Sequence, residues 1–424
     1  MCLRFAIAFI FIKICGLGLV YSAYAQTTSN DTLVINVKQA EDQFLKNNLS
    51  LIAQRYNIDN ATAQIITARL FPNPNFSFSN GIYATGVSNP YSEQTYGLSQ
   101  LFTTAGKRNK NIQLAKINVE QAKYQFFDLL RTLKFTLRND FYTIYFQEQS
   151  AKVYNQEINS LAKTLTVFKQ QYTQGNIAEK EVLRIQSQLY SLQVEYNTLQ
   201  TNIDTVQSEF KLLIKASPQV YIKPQVDTIN NQDIATTVPY QRLLDSAYVN
   251  RYDLRLAQTA VDYNTINFKL QKATAIPDVS VSLNYDKLAA YGQNFLGGGV
   301  SFDLPFFNRN QGGIKQARIA IDQSKIQFQS QQDQVQGDVA TNYKSAIRLQ
   351  QLYNSFDPTF KQNFNHLIQE VFKNYQMRNI SLLEFLDFYD SYKTNVLQLN
   401  NLELSRVTSL EQLNYVTGTP FFNQ

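Results

Sequence analysis

Leu304–Arg318 reads LPFFNRNQGGIKQAR. Ahead of it Val300, Phe302 and Leu304 alternate with Gly299, Ser301 and Asp303. The run then breaks at Pro305 into a polar turn bearing Gly312 and Gly313, and a helical pattern begins at once. Period-two alternation puts apolar side chains on one face of a strand and small polar ones on the other. A strand is therefore joined to a helix by little more than one turn. The same order occurs upstream in Leu101–Lys116, LFTTAGKRNKNIQLAK, where glycine and basic residues again follow a strand pattern.

Outward from both junctions the helical patterns are very long. Gly106–Tyr172 is 67 residues without proline, and Arg309–Tyr375 is also 67, with Pro358 alone inside it. Each would extend roughly 100 Å at the helical rise, far beyond the usual globular helix, so each needs partners along its length. The segments that follow supply them. Val182, Ile185, Leu189, Leu192, Tyr196, Leu199, Ile203, Val206, Phe210 and Leu213 keep heptad spacing. Phe385, Phe388, Tyr392, Leu399, Leu402, Leu413 and Val416 keep it in the second half, interrupted by Asn395, Arg406 and Ser409.

The two halves match. Pro74–Ser79 (PNFSFS) and Pro277–Ser282 (PDVSVS) lie 277 − 74 = 203 apart, and Tyr172, Asn176, Ile177, Glu181 and Leu183 match Tyr375, Asn379, Ile380, Glu384 and Leu386 at that same displacement. A duplication is expected, with 26–215 as the first repeat, 216–239 as a linker or equatorial segment and 240–424 as the second. Each repeat opens on a helix (Val37–Leu70 and Tyr240–Ala273) and continues into a hairpin, a long helix and a return helix. The strand candidates are Phe76–Ile82, Tyr96–Phe102, Val279–Tyr285 and Val300–Leu304, with loops Asn80–Glu93 and Asp286–Leu296.

Residues 1–25 carry Arg4, an apolar stretch and Ala23-Tyr24-Ala25, the pattern of a cleavable secretory leader. Cys2 and Cys15 both lie within it, and Cys15 lacks the small residues that lipid attachment needs ahead of it, so a mature chain free of cysteine and lipid is expected. Beyond the leader no run of eighteen apolar residues occurs, which leaves β-strands as the means of crossing a membrane. Four strands with Gly/Asn/Ser/Tyr-rich loops cannot form a soluble core alone, and they are too few to close a barrel, since the smallest outer membrane barrels have about eight.

Composition excludes other classes. The formal charge is only +6, from 39 Lys+Arg against 33 Asp+Glu scattered along the chain, so nucleic acid is not the implied partner. The single histidine, His366, has no second histidine or cysteine at helical spacing, and the Gly297–Gly299 run reads as a hairpin loop and not a phosphate cradle. No catalytic, cofactor or metal site is expected.

The junctions, the turns YTQGNIAEKEVL (Tyr172–Leu183) and YQMRNISLLEFLDFYD (Tyr375–Asp390), the stretch Ala247–Leu254 and the duplication together resemble the TolC-like outer membrane efflux protein family over nearly the whole mature chain. The junction phrase is similar to the heavy-metal cation efflux branch. The resemblance implies a mainly α fold with transmembrane β: a trimer whose chains give four strands each to a 12-stranded β-barrel continuous with a periplasmic α-helical barrel. It implies the exit duct of a tripartite efflux system, with a periplasmic adaptor, an inner-membrane pump of the RND type and outer membrane lipid as partners. Drug efflux or type I secretion is the alternative within the duct class, and a periplasmic coiled-coil adaptor the alternative outside it. Also by resemblance, Glu384, Asp387, Tyr375, Arg378, Glu181 and Arg184 belong to a periplasmic gate, and Gly175, Asn176 and Asn379 to an adaptor-contacting tip. Arg378 departs from the pattern, standing where the first repeat has Gly175.

Overall fold

A computed structural model of the chain describes residues 32–81, 94–226, 238–289, 292–357, 359, 366–367, 370–371, 373–375, 377 and 379–422. The leader expected over 1–25, most of the loop at 80–93, and Ile82, Pro358 and Arg378 lie outside the described residues. The elements in chain order are β1 (Thr32–Ile35), α1 (Val37–Asn47), α2 (Leu49–Arg69), β2 (Asn75–Asn80), β3 (Gln94–Phe102), α3 (Lys107–Thr173) and α4 (Glu179–Ile214). There follow β4 (Tyr221–Pro224), α5 (Tyr240–Asn250), α6 (Tyr252–Thr274), β5 (Val279–Ala289), β6 (Gly292–Phe302), α7 (Gln311–Ser355) and α8 (Leu382–Thr417).

The sheet β2–β3–β5–β6 is antiparallel throughout and open at β2 and β6. Its register sorts the side chains by face: Phe76 pairs with Leu98, Leu98 with Leu283, and Tyr96 with Tyr285, while Ser77 pairs with Gly97 and Gly97 with Asn284. One face is therefore apolar and the other small and polar. The Gly297–Gly299 run is a correction to the sequence reading, because it sits inside β6 and not in a loop, and β5 and β6 together leave only 290–291 between them. The physical reason lies on the small face. A Cβ on Gly299 would come within 2.9 Å of Ser282 Oγ, and one on Gly97 within 2.5 Å of Ser77 Oγ. Glycine there hides the alternation because it marks close approach of neighbouring rows.

The opening stretch now has its explanation. β6 ends at Phe302, two residues short of the expected Leu304, and Asn310 takes the left-handed conformation (φ 56) as the N-cap of α7. Asn310 Nδ2 donates to Gln271 O (2.9 Å) and Oε1 (2.8 Å) on α6, and a Cβ on Gly313 would sit 3.0 Å from that same Oε1. At the first junction Gly106 (φ 65) caps α3, and Asp278 accepts from Thr104 N (2.8 Å) and Lys107 Nζ (2.8 Å). Both strand-to-helix turns are bolted to the chain segment entering the second hairpin, through Asp278 and Gln271.

Four expectations are corrected among the helices. Val37–Leu70 is two helices broken at Asn48 (ψ 117), whose side chain caps Leu51 N (3.0 Å) and donates to Leu213 O (3.0 Å). Tyr240–Ala273 breaks likewise at Arg251, 251 − 48 = 203 residues on, where the guanidinium binds Asp253 (2.6 Å) and Asp338 (2.8 Å). Polar side chains that bond locally or across helices offer the backbone an alternative to the next helical turn. The first long helix, α3, does run 67 residues, but α7 stops after 45 at Phe356 (ψ 137), just before Pro358. Proline disfavours helical backbone in the residue before it, here Asp357, and brings no N–H to continue the helical ladder, so the helix ends ahead of it. Helical backbone resumes by Val371 and Tyr375.

The fourth correction concerns the return helices. In α4 the buried stripe follows Val182, Ile185, Leu189 and Leu192 as expected, then reaches Ile203, Gln207, Phe210 and Ile214, displacing the expected Val206 and Leu213 by one. The step from Ile203 to Gln207 is 4 where the heptad expects 3, giving a 3-4-4 spacing from Tyr196 to Gln207 (207 − 196 = 11) that locally relaxes the left-handed supercoil a strict heptad imposes. In α8 the stripe is Phe385, Tyr389, Lys393, Val396 and Asn400, while Phe388 is exposed. Polar members made it invisible to an apolar count.

Within the segment 216–239, β4 pairs in parallel with β1, and 227–237 lie outside the described residues. Gln207, 1% exposed, serves this small sheet: its Nε2 donates to Ile222 O (2.6 Å) and its Oε1 accepts from Ile222 N (2.9 Å). Gln207→Leu leaves two buried backbone groups unsatisfied and should cost about 2–4 kcal/mol. Denaturant unfolding followed by circular dichroism checks this, and an unchanged midpoint would remove the clamp from the account.

Candidate functional site at the helical tip

The tip is where α3 turns into α4 and where the chain enters α8. Gly175 (φ 75) reverses the first turn, and Asn176 N closes onto Gln171 O (2.9 Å) while its side-chain amide donates to Gln171 Oε1 (2.9 Å). Asn379 repeats the pattern on the second turn, with N to Asn374 O at 2.9 Å and Nδ2 to Asn374 Oδ1 at 3.1 Å. These are six-to-one closures of a helix C-terminus. Between the two turns lies a cavity of about 1120 Å³ whose lining includes Lys163, Phe168, Asn176, Glu181, Tyr375 and Leu382.

Tyr375 is the centre of the contact between hairpins. Its ring stacks on Phe385 (centroids 4.5 Å, 15°) and faces Phe168 of α3 (5.9 Å, 25°), and Phe385 in turn touches Tyr389 (5.3 Å). Burial, reinforced by the Glu181 carboxylate, raises the pKa of the phenol. The structure thus brings Glu181 and Tyr375 together. Arg184 is exposed and makes no ion pair among the described residues.

Glu384 completes a capping box: Oε2 accepts from Ser381 N and Oγ (both 2.8 Å), and Ser381 Oγ accepts from Glu384 N at 3.2 Å. The bond from the Ser381 backbone, then that from its hydroxyl, holds the carboxyl below its ordinary value. Within one chain Glu384 therefore starts a helix. Asp387, on the next turn, is exposed.

The sequence reading missed a buried charged group just behind the aromatic stack. Glu157 on α3 is 2% exposed, and neither carboxylate oxygen has a hydrogen-bond partner among the described residues. Lys393 of α8 lies near it but bonds Glu195 (3.1 Å) and Asp390 (3.1 Å), and Tyr154 OH donates to Glu195 at 3.2 Å. Burial pushes the Glu157 carboxyl up to about 8, only partly opposed by Lys393, while Asp390 and Glu195 push the same way. A lysine within an apolar stripe was the available signal, and it needed the corrected register to be read.

The family described as outer membrane efflux protein matches residues 41–214 and 243–419. The cobalt-zinc-cadmium resistance protein CzcC of Cupriavidus metallidurans is 20% identical over 285 residues, 66% of this chain and 65% of that protein, so the match spans a little under two thirds of the relative. The fold is similar to that of the Campylobacter jejuni CmeC outer membrane channel (TM-score 0.77, 16% identity, 90% of this chain and 85% of that one). It is also similar to CusC (TM-score 0.73, 17% identity, 90% and 92%), solved in work on folding and transmembrane channel formation.

Two predictions follow from the tip geometry. Tyr375→Ala removes the stacked ring and should destabilise the tip by about 3 kcal/mol, whereas Tyr375→Phe keeps the ring and should stay within about 1 kcal/mol of the parent. Equal losses in hydrogen-exchange protection of α8 for both variants would transfer the role to the hydroxyl. For Glu157 the folded state holds its proton more tightly than the unfolded chain does, so its contribution is complete below the ordinary value of 4.5 and is lost as pH rises through about 8. Glu157→Gln should flatten the fall in stability across that window, an effect on the order of a few kcal/mol. Unfolding midpoints against pH decide it, and parallel curves for parent and variant would refute the assignment.

Proposed function

Because the chain belongs to the outer membrane efflux protein family, we propose that three copies form one exit duct, each giving four strands to a 12-stranded barrel and its helices to a tube in the periplasm. The observation that carries this reading is the four-stranded sheet: one apolar face, one face of Ser, Gly and Asn, and two open edges. An unpaired strand edge in lipid leaves backbone groups without partners, and neighbouring copies satisfy it. The apolar face meets lipid and the small polar face lines the pore. The strand ends away from the helices lie outside the cell.

Duplication is supported by the two stretches that match the family, by the helix breaks at Asn48 and Arg251, and by the shared closure of the two tip turns. The duct works with a periplasmic adaptor at its tip and an energised pump in the inner membrane. Likeness to a cobalt-zinc-cadmium resistance protein favours divalent metal cations as cargo. With one histidine in the chain and both cysteines inside the leader, cation selection belongs to the pump and the duct conducts passively.

Threefold symmetry would place Asp387, and Glu384 beside it, in a ring at the narrow end. Glu384→Gln keeps a residue able to complete the capping box, so with Asp387→Asn it removes charge while retaining the helix start. In planar bilayers this double variant should lower the cation-to-anion permeability ratio about twofold or more and weaken block by multivalent cations. Unchanged selectivity would mean that the ring lies elsewhere, and a monomeric mass in mild detergent with full β-content would sink the trimeric barrel.

A further inference from the structure

The charge of this protein is scattered in sequence but concentrated in space. Where the sheet meets the helices, four stretches of chain come together: 66–78, 101–112, 269–280 and 302–318. They carry Arg69 at the end of α2; Lys107, Arg108 and Lys110 after β3; Lys269 and Lys272 near the end of α6; and Arg309, Lys315 and Arg318 after β6. Against these nine cations stand two acids, Asp278 and Asp303. The whole chain has 39 cations and 33 acids, so outside this collar 39 − 9 = 30 face 33 − 2 = 31. The excess positive charge of the protein resides at the junction.

Among the described residues only Lys107 of the nine has a carboxylate partner, Asp278 at 2.8 Å. Arg108 instead donates through Nε (2.8 Å) and Nη2 (2.6 Å) to Arg69 O, and lies 4.0 Å over the Phe71 ring. Lys110 Nζ reaches only a backbone carbonyl, Ala105 O at 2.7 Å. Carbonyls hold these groups in place without neutralising them. Interleaved with them are large exposed apolar side chains: Leu70, Phe71, Leu304, Phe306 and Phe307, the last 94% exposed. In sequence they flank the strands just outside the sheet's last paired row, Phe102–Val279–Phe302.

We propose that this collar is a lipid-binding surface that seats the protein on the anionic phospholipid headgroups of the leaflet on its helical side. The proposal rests on the reading of the sheet as a membrane barrel. Phe306 and Phe307 enter the acyl boundary, as amphipathic and aromatic groups do at membrane interfaces, while the guanidinium and ammonium groups meet phosphates. Pro305 keeps the Phe pair out of the strand, so their rings are free to lie at headgroup depth instead of pairing within the sheet. Depth is thereby set at the helical end of the barrel, and a preference for anionic lipid accompanies it.

The chain contains no tryptophan, so a single introduced indole reports unambiguously. Phe307→Trp and, separately, Leu283→Trp on the apolar face of β5 are reconstituted as full-length protein in phosphatidylethanolamine vesicles with or without phosphatidylglycerol, using lipids brominated at shallow or deep acyl positions. Leu283→Trp should be quenched in every vesicle, and Phe307→Trp should be quenched best by the shallow label. If Leu283→Trp escapes quenching, the barrel reading itself fails; if it alone is quenched, the barrel stands and the collar is overturned. For headgroup preference, Arg108→Ser, Arg309→Ser and Lys315→Ser are combined, and phosphatidylglycerol retained per protein in native mass spectra is compared with a control neutralising Lys163, Lys169 and Lys180 near the tip. Apparent affinity should fall about fivefold per collar cation removed and hold in the control. Equal retention in both would overturn the anionic preference.

Discussion

A helix of 67 residues is held only by what runs beside it, and the rest of this structure is arranged along α3. Near the sheet it lies against α2 and α6; at mid-length it meets α1 and β4; towards the tip it is flanked by α4 and α8. No single stretch of α3 could persist alone, because helical stability in water comes mostly from packing of a buried face. The face that α3 buries therefore changes along its length. Leu137, Phe141 and Ile144 serve the core around β1 and β4, and Leu161 and Leu165 serve the core at the tip.

Buried charge determines how those partners register. Arg138 on α3 binds Glu41 of α1 and, at 3.0 and 3.2 Å, both oxygens of Glu411 on α8. Arg251 joins the break between α5 and α6 to Asp338 on α7. Apolar stripes tolerate sliding by one residue, whereas a guanidinium bonded to carboxylates on two different elements does not. Such pairs add little net stability against an apolar replacement, but they exclude alternative alignments of long helices. Glu157 is the exception in this set, a carboxyl buried without a partner among the described residues, beside a lysine already engaged elsewhere.

The sheet and the helices meet through side-chain bonds to the chain entering the second hairpin, with Asp278 holding the turn after β3 across repeats and Gln271 holding the turn after β6 within its own. Both long helices are thereby tied to the stretch of chain that enters the second hairpin. That rigidity suits a conduit whose two parts must share one wall. It also explains why glycine appears on both sides of the joint: Gly106 for its left-handed backbone and Gly313 for the closeness of Asn310 and Gln271.

The sequence alone determined whatever depends on period and length. Alternation in Phe76–Phe78 and Val279–Tyr285 marked strands, the proline-free run from Gly106 marked a helix of the observed 67 residues, and the order strand, turn, helix at Leu304–Arg318 marked the junction. It also brought Glu181, Tyr375 and Glu384 to one end of the molecule. It did not show β1 and β4, because four residues are too short for a periodic signal and their partners are 189 positions apart (221 − 32). It misread Gly297–Gly299, since a glycine demanded by the adjacent row is indistinguishable in sequence from a glycine demanded by a turn. The shift of the α8 stripe onto Tyr389, Lys393 and Asn400, the partnerless burial of Glu157, and the gathering of scattered cations into one collar were decided only by tertiary structure. Each depends on which distant polar groups come into reach, and hydrogen bonds and charges act through distance in space, which hydrophobic periodicity does not encode.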